Sequence, residues 1–448
     1  MPRRLPWFPT LGALALILAA PAAAQPAGEE SQDLFTITLD TKGFEPYKIA
    51  VGEPISNDLP LAQHVRDVTV NDLRIATAFK VLKPSTYPAG WKDAGLDKQD
   101  LAKWRAIGAQ GLILAKLADR GGQVVYEFSL WDLARGNEPV LSRSFSAARA
   151  SARSVVHQFC NLVMKHYTGE PGAFGTSIAF VAALSAKDKV IQVADHDGYG
   201  LRRVSAATSL NILPAWSPDG RDLVYTSYAR GNPDLYLVPS AGGRRPRRVS
   251  RRIGLNSGAV YSPDGTKVAL TLSRDRNTEL YVLDTTKRGP EGWPILTRLT
   301  NWSGIDTSPT WSPDGTKIAY VSDKLGYPQI WVMNADGTGA RRVTRRGYYN
   351  TTPAWCPKKG SNLIAFTSRK DGRFSVFTYD LGTDSYRRIT FSHQGDNEEP
   401  TWAPNCQLIA FASSRGGIWV SNRDGTAQTP IYKGKALQPR WGPWATQK

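Results

Sequence analysis

Asp195-His196-Asp197 is the first stretch whose residue types suggest chemistry, since carboxylates beside an imidazole can hold or move a proton. The tripeptide runs into Gly198, and Asp followed by Gly favours a turn, so a structural hairpin is the expectation. The other histidines, His64, His157, His166 and His393, show no paired spacing, and no Gly-x-Ser-x-Gly elbow occurs. Four carboxylates, Asp306, Asp396, Glu398 and Glu399, precede repeated Trp motifs and together could attract Ca²⁺. They lack the spacing of a dedicated calcium loop, so water and salt bridges are expected there, with no metal and no cofactor. Three cysteines are too few for a disulfide scaffold and have no metal-ligand spacing. Cys356 and Cys406 occupy similar turns in adjacent repeats, but a bridge needs Cα atoms within about 7 Å, which neighbouring repeats need not meet. Cys160 reads as core. None of this makes an enzyme.

The elements that position these residues come from a repeat. Pro214-Ala-Trp-Ser-Pro-Asp-Gly220 recurs as Ala259-Val-Tyr-Ser-Pro-Asp-Gly265 and Pro309-Thr-Trp-Ser-Pro-Asp-Gly315. Weaker copies are Pro353-Ala-Trp-Cys-Pro357, Pro400-Thr-Trp-Ala-Pro-Asn405 and Pro439-Arg-Trp-Gly-Pro443. The aromatic positions are spaced by 45, 50, 44, 47 and 39 residues, the period of a four-stranded propeller blade. Pro presets a turn, Asp bonds the backbone ahead, and Gly takes the positive φ. Alternating strands follow each turn, as in Ile318-Ala-Tyr-Val-Ser322. A half-repeat beginning near Ile178 lacks a first strand, and Pro439-Arg-Trp441 is a first strand with nothing after it. Joined, they complete a sixth blade and remove the open edges.

The expected fold is therefore an α+β N-terminal domain followed by an all-β six-bladed β-propeller closed by the C-terminal strand. Residues 1–24 read as a signal peptide: Arg3 and Arg4, a short apolar run over 11–20, then Ala22-Ala23-Ala24. Residues 25–34 read as a flexible mature N-terminus, 35–170 as the α/β domain and 174–443 as the propeller. Within the α/β part, strands are expected at 35–39, 112–115, 124–130 and 140–145. Helices are expected over 61–82, 101–108 and 151–166, the last with Val155, Phe159, Cys160 and Val163 on one apolar face. The apolar run in the leader is too short to span a bilayer of about 30 Å, and no transmembrane segment is expected in the mature chain. The formal charge of +17 raises the question of an anionic partner. Arginine pairs at 202–203, 247–248, 341–342 and 387–388 recur once per blade, spread around the rim. Nucleic-acid binders gather charge on one face and interleave stacking aromatics, so no nucleic acid is expected.

The chain resembles the TolB family, periplasmic components of the Tol–Pal system. Phe174-Gly-Thr-Ser-Ile-Ala-Phe-Val181, Asp195-His-Asp-Gly-Tyr199 and the motif 214–220 carry the likeness most specifically, with signal, small domain and six blades in one chain. The resemblance implies a monomeric binding protein of the periplasm. Its propeller mouth would take a Pal-like peptidoglycan-associated lipoprotein, and bacteriocins would borrow the same site. Its mature N-terminus would contact a TolA-like inner-membrane protein, through Gln25, Gly28, Glu29 and Glu30. Outer-membrane integrity, constriction at cell division and bacteriocin import follow as expected roles. The loops ahead of the Trp motifs are expected to form the mouth, with Asn256, Gly258, Asp306, Thr307, Ser308, Asn350, Thr351, Glu398 and Glu399 as partner-binding candidates. Two alternatives stay open: a propeller-containing peptidase, and a Tol-like propeller serving another envelope partner.

Overall fold

The structure is a computed structural model that describes residues 45–444 apart from 97–98, 251, 276 and 290–293. The expected signal peptide, the N-terminal candidates Gln25, Gly28, Glu29 and Glu30, and the strand expected at 35–39 lie outside the described residues.

The N-terminal part is one mixed five-stranded sheet of order β2-β1-β3-β4-β5. Its strands are β1 (Tyr47–Val51), β2 (Phe79–Val81), β3 (Gly111–Arg120), β4 (Gln123–Asp132) and β5 (Leu141–Ala147). β1 pairs parallel with β2 and β3, whereas β3, β4 and β5 form an antiparallel meander. Helices α1 (Leu59–Ile75) and α3 (Ala152–Thr168) cover one face, packing Val65, Val68, Val155, Phe159 and Val163 against Ile113, Tyr126 and Phe128. The short helix α2 (Leu101–Ala106) covers the other through Trp104. The helical stretch expected over 61–82 is shorter than its apolar content suggests. Asp58 caps α1 by accepting the Leu61 N–H, and Thr77 at φ 59° turns the chain out of the helix and into β2. β1 carries no alternation, because both its faces are buried.

Six four-stranded sheets follow, stacked as blades. Their innermost strands are Asn211–Trp216, Asn256–Tyr261, Asp306–Trp311, Asn350–Trp355, Asn397–Trp402 and Ala436–Trp441, in blades I to VI. Blade VI is built from both ends of the domain. Ala436–Trp441 pairs with β6 (Ser177–Ala183), which pairs with β7 (Lys189–Asp195) and then β8 (Arg202–Arg203). The six-bladed ring expected from the repeat is the observed one.

The Trp residues act as wedges between sheets. The indole N–H groups of Trp216, Trp311 and Trp402 donate to the carbonyls of Arg440, Val260 and Ala354, each on the inner strand of the preceding blade. The turns after them repeat as well: Ser217, Ser262 and Ser312 each donate to the Asp two residues on. The arginine pairs lie on the outermost strands, one residue of each pair exposed and the other at least partly covered.

Cys356 and Cys406, whose pairing the sequence leaves open, form a disulfide with Cα atoms 5.8 Å apart. Cys356 sits where Ser217 sits in its own blade, and Cys406 where Gly220 sits in the next. The stagger brings two similar but non-equivalent turn positions together. Cys160 is buried and free, as expected.

Candidate functional site

Every innermost strand breaks its ladder at the same place. The third residue of each takes a positive φ: Leu213 54°, Gly258 59°, Ser308 53°, Thr352 49°, Glu399 58° and Gln438 52°. The register with the second strand slips by one residue around each of these positions. Five of the six are not glycine, and such left-handed non-glycine conformations persist only where the surroundings hold them. Inter-blade hydrogen bonds do so. Thr367 accepts the Glu399 N–H at 2.9 Å, the Glu399 carboxylate accepts the Gln438 N–H, and the Gln438 side chain accepts the Leu213 N–H at 2.7 Å. The result is a ring of bulges around the channel, built by neighbouring inner strands.

The candidates Asn256, Gly258, Asp306, Thr307, Ser308, Asn350, Thr351, Glu398 and Glu399 all fall on this ring, but within strands, not in loops ahead of them. Asn256, Asp306 and Asn350 are fully buried, and so is Asn397. The asparagines are structural: Asn256 Nδ2 donates to the carbonyls of Arg252 and Gly254, and Asn350 Nδ2 to that of Arg346. They tie down the chain entering each inner strand. Gly258, Thr307, Ser308, Thr351 and Glu398 remain partly exposed, whereas Glu399 is 5% exposed.

Direction along the strands separates two mouths. The α/β domain meets the propeller on the side of the Trp-motif turns. Lys358 Nζ donates to Glu170 at 2.8 Å and Asn405 Nδ2 to the Pro171 carbonyl at 3.0 Å, both from such turns. Arg153 and Asn71 bond Asp197 in the turn after β7. The opposite mouth, where inner strands begin, carries exposed Ile253, Trp302 and Tyr348 on the entering loops.

This two-part arrangement matches known families along most of its length. The TolB beta propeller domain model matches residues 164–445, and the TolB amino-terminal domain model residues 35–139. The chain belongs to the TolB family. The Tol-Pal system protein TolB of Xanthomonas campestris pv. campestris (strain B100) is 35% identical over 352 residues, covering 77% of this chain and 78% of that one. The Tol-Pal system protein TolB of Desulfosudis oleivorans is 34% identical over 183 residues, a match spanning 41% of its length. The crystal structure of TolB from Acinetobacter baumannii superposes with a TM-score of 0.77 at 24% identity, covering 89% of this chain and 97% of that one, and supports the fold.

Within this TolB-family ring, blade III is chemically distinct. Asp306 occupies the position that asparagine holds in blades I, II, IV and V. The loop carbonyls that an asparagine there would hold, Trp302 and Gly304, are taken instead by Asn277 Nδ2, at 2.6 and 2.7 Å. Among the described residues neither Asp306 oxygen has a hydrogen bond of good geometry, although the Ser322 and Thr300 hydroxyls lie near enough to act on it. Burial lifts its pKa to about 6, the nearby Glu279 adding to the rise while Ser322, Thr300 and Lys324 oppose it. Glu398 is pushed up to about 7 by burial, then by Glu399 and Asp396. The four mouth carboxylates do not assemble a calcium cage: among the described residues, the only cluster of three or more His, Cys, Asp or Glu ligand atoms lies elsewhere.

Both groups hold their proton in the folded chain to a higher pH than in the unfolded one. Their stabilising contribution is present below about pH 4 and is lost as pH rises through 6 and 7. Stability is therefore expected to decline between pH 5 and pH 8, and Glu398→Gln to remove part of that slope, on the order of 2 kcal/mol at pH 8. Urea melts of wild type and variant at both pH values measure it. Parallel pH dependences would refute the assignment.

The residue set that the histidine spacing failed to show lies at the joint with the α/β domain. Asp72 on α1 accepts hydrogen bonds from His157 Nδ1 on α3 at 2.7 Å and His196 Nε2 of the propeller at 3.2 Å. All three are buried. Burial opposes ionisation of Asp72, but its two imidazole partners outweigh that and hold its pKa below the usual range. The turn 195–198 is structural as expected: Gly198 donates to the Asp195 carbonyl, and a Cβ on Gly198 would lie 1.9 Å from the Ile431 carbonyl oxygen.

Proposed function

We propose that this chain is the periplasmic propeller component of a Tol–Pal envelope system, a binding protein and not an enzyme. Its open mouth takes a Pal-like peptidoglycan-associated lipoprotein, and its mature N-terminus, from Gln25, engages a TolA-like inner-membrane protein. Supporting outer-membrane integrity and constriction at division would follow from coupling those two contacts. Export by cleavage of residues 1–24 belongs to the same reading; among the described residues no helix is long and apolar enough to cross a membrane.

The observation that carries this reading is the ring of six bulged inner strands at the mouth facing away from the α/β domain. Such a ring offers partly exposed Thr307, Ser308, Thr351 and Glu398 to an inserted loop. Around it, Ile253, Trp302 and Tyr348 supply exposed apolar anchors of the kind that dominate interfaces. Small hydroxyl-bearing residues leave room in the mouth and offer hydrogen bonds there.

Filling that room tests the proposal. Thr307→Trp is expected to weaken binding of the soluble domain of the Pal-like lipoprotein from the same cell by at least about tenfold, with folding unchanged. Calorimetric titration with the mature protein reads it out. No measurable binding by the wild type, or equal affinity of wild type and variant, would refute the mouth as the site.

A further inference from the structure

We propose that Asp72, His157 and His196 form a structural zinc-class metal site that ties the α/β domain to the propeller. Three facing atoms, an Asp72 oxygen, His157 Nδ1 and His196 Nε2, lie within 4.8 Å of one another. They come from α1, α3 and the turn after β7, so the cation would join three segments that no sequence-local motif links. A tetrahedral site with bonds near 2.0 to 2.1 Å places its ligand atoms about 3.3 Å apart. The two imidazoles now meet opposite oxygens of the carboxylate, His157 Nδ1 2.7 Å from Oδ2 and His196 Nε2 3.2 Å from Oδ1, so a turn of the carboxyl group with a small opening would admit the ion.

All three ligand residues are buried, so a cation held between them would offset the carboxylate's charge away from water. Two imidazoles with a single carboxylate suit zinc better than calcium or magnesium, which prefer oxygen ligands. Cys160, one helical turn on from His157 on α3, is buried but lies outside the three-residue cluster.

His157 Nε2 and His196 Nδ1, the nitrogens on the far side, have no partner among the described residues. The neighbouring polar groups, Arg153, Asn71, Asp195 and Asp197, pair with one another across the joint and do not complete the cluster. Phe174 packs beside the His196 ring, which keeps the surroundings dry.

The test uses the full mature chain without an affinity tag, stripped with chelator and titrated with Zn²⁺. About one equivalent is expected to bind, with Tm rising on saturation and falling again on chelation. Cobalt(II) in place of zinc should give the visible d–d bands of a four-coordinate site. His196→Ala should lower zinc affinity by about a hundredfold or more while near-UV dichroism of the propeller is unchanged. Should His196→Ala not fold, the zinc and cobalt titrations of the unaltered protein decide the matter. Sub-stoichiometric uptake by wild type, or equal uptake by His196→Ala, overturns the site. None of these readouts depends on any lipoprotein partner, so the failure of this site and of the proposed mouth are separable.

Discussion

A chain ending at Gly434 loses the cooperative unfolding transition of its propeller. The strand it lacks, Ala436–Trp441, pairs with β6 through Ala436↔Ala182, Leu437↔Val181, Arg440↔Ala179 and Trp441↔Ile178. Without it, β6 becomes an open edge and blade VI has no inner strand. The loss spreads to both neighbours. Trp216 of blade I loses the Arg440 carbonyl, and Leu213 loses the Gln438 side chain that accepts its N–H. In blade V, the Glu399 carboxylate loses the Gln438 N–H that it accepts. Trp441, 7% exposed, leaves a hole in the cluster that also holds Ile178, Phe180 and Ile75 of α1. Removing a buried Trp side chain alone costs about 3–5 kcal/mol. Adding the lost ladder and the lost inter-blade hydrogen bonds brings the cost to the scale of the roughly 5–15 kcal/mol by which domains are stable. Calorimetry should show no cooperative peak for the truncated chain, and Trp441→Ala should retain one at reduced Tm. A truncated chain melting within about 1 kcal/mol of the full one would show that the ring does not need its closing strand.

Ring closure was legible because its signals are local. Each Trp motif carries its own turn chemistry, so six copies announce six blades without any knowledge of contacts. The mouth was legible in position but not in orientation. Asn256, Asp306 and Asn350 looked like offered polar groups, yet an asparagine that opens an inner strand spends its amide on loop carbonyls. Only Asp306 escapes that duty, because Asn277, twenty-nine residues earlier in the chain, performs it. The joint was not legible at all. Asp72 and His196 are 124 residues apart, and no spacing rule connects a helix of one domain with a turn of another. The helix over 61–82 was overextended for a related reason: Thr77 ends it with a positive φ that composition does not advertise, there being no glycine or proline at that point.

The bridge between Cys356 and Cys406 shows what such long-range pairing is worth. It closes a loop of sequence separation 50 across the boundary between blades IV and V. Constraining a loop of that length in the unfolded chain is worth about 4 kcal/mol in the chain-entropy account, and measured bridges return about 2–4. The double variant Cys356→Ala, Cys406→Ala is accordingly expected to unfold about 2–4 kcal/mol earlier in urea. The backbone at the second cysteine refines the expectation. Cys406 has φ 58°, at the turn position where Gly220, Gly265 and Gly315 have φ of 72°, 73° and 71°. Once the bridge is gone, an alanine there keeps the left-handed strain that a glycine avoids. Cys356→Ala with Cys406→Gly should therefore be more stable than the double alanine by about 1 kcal/mol. The turns concerned also hold the linker, through Lys358 on Glu170 and Asn405 on Pro171, so unbridged variants should be cut faster by protease between the two domains. Equal urea midpoints for wild type and both variants would mean that the stacking of blades IV and V already holds the turns in place.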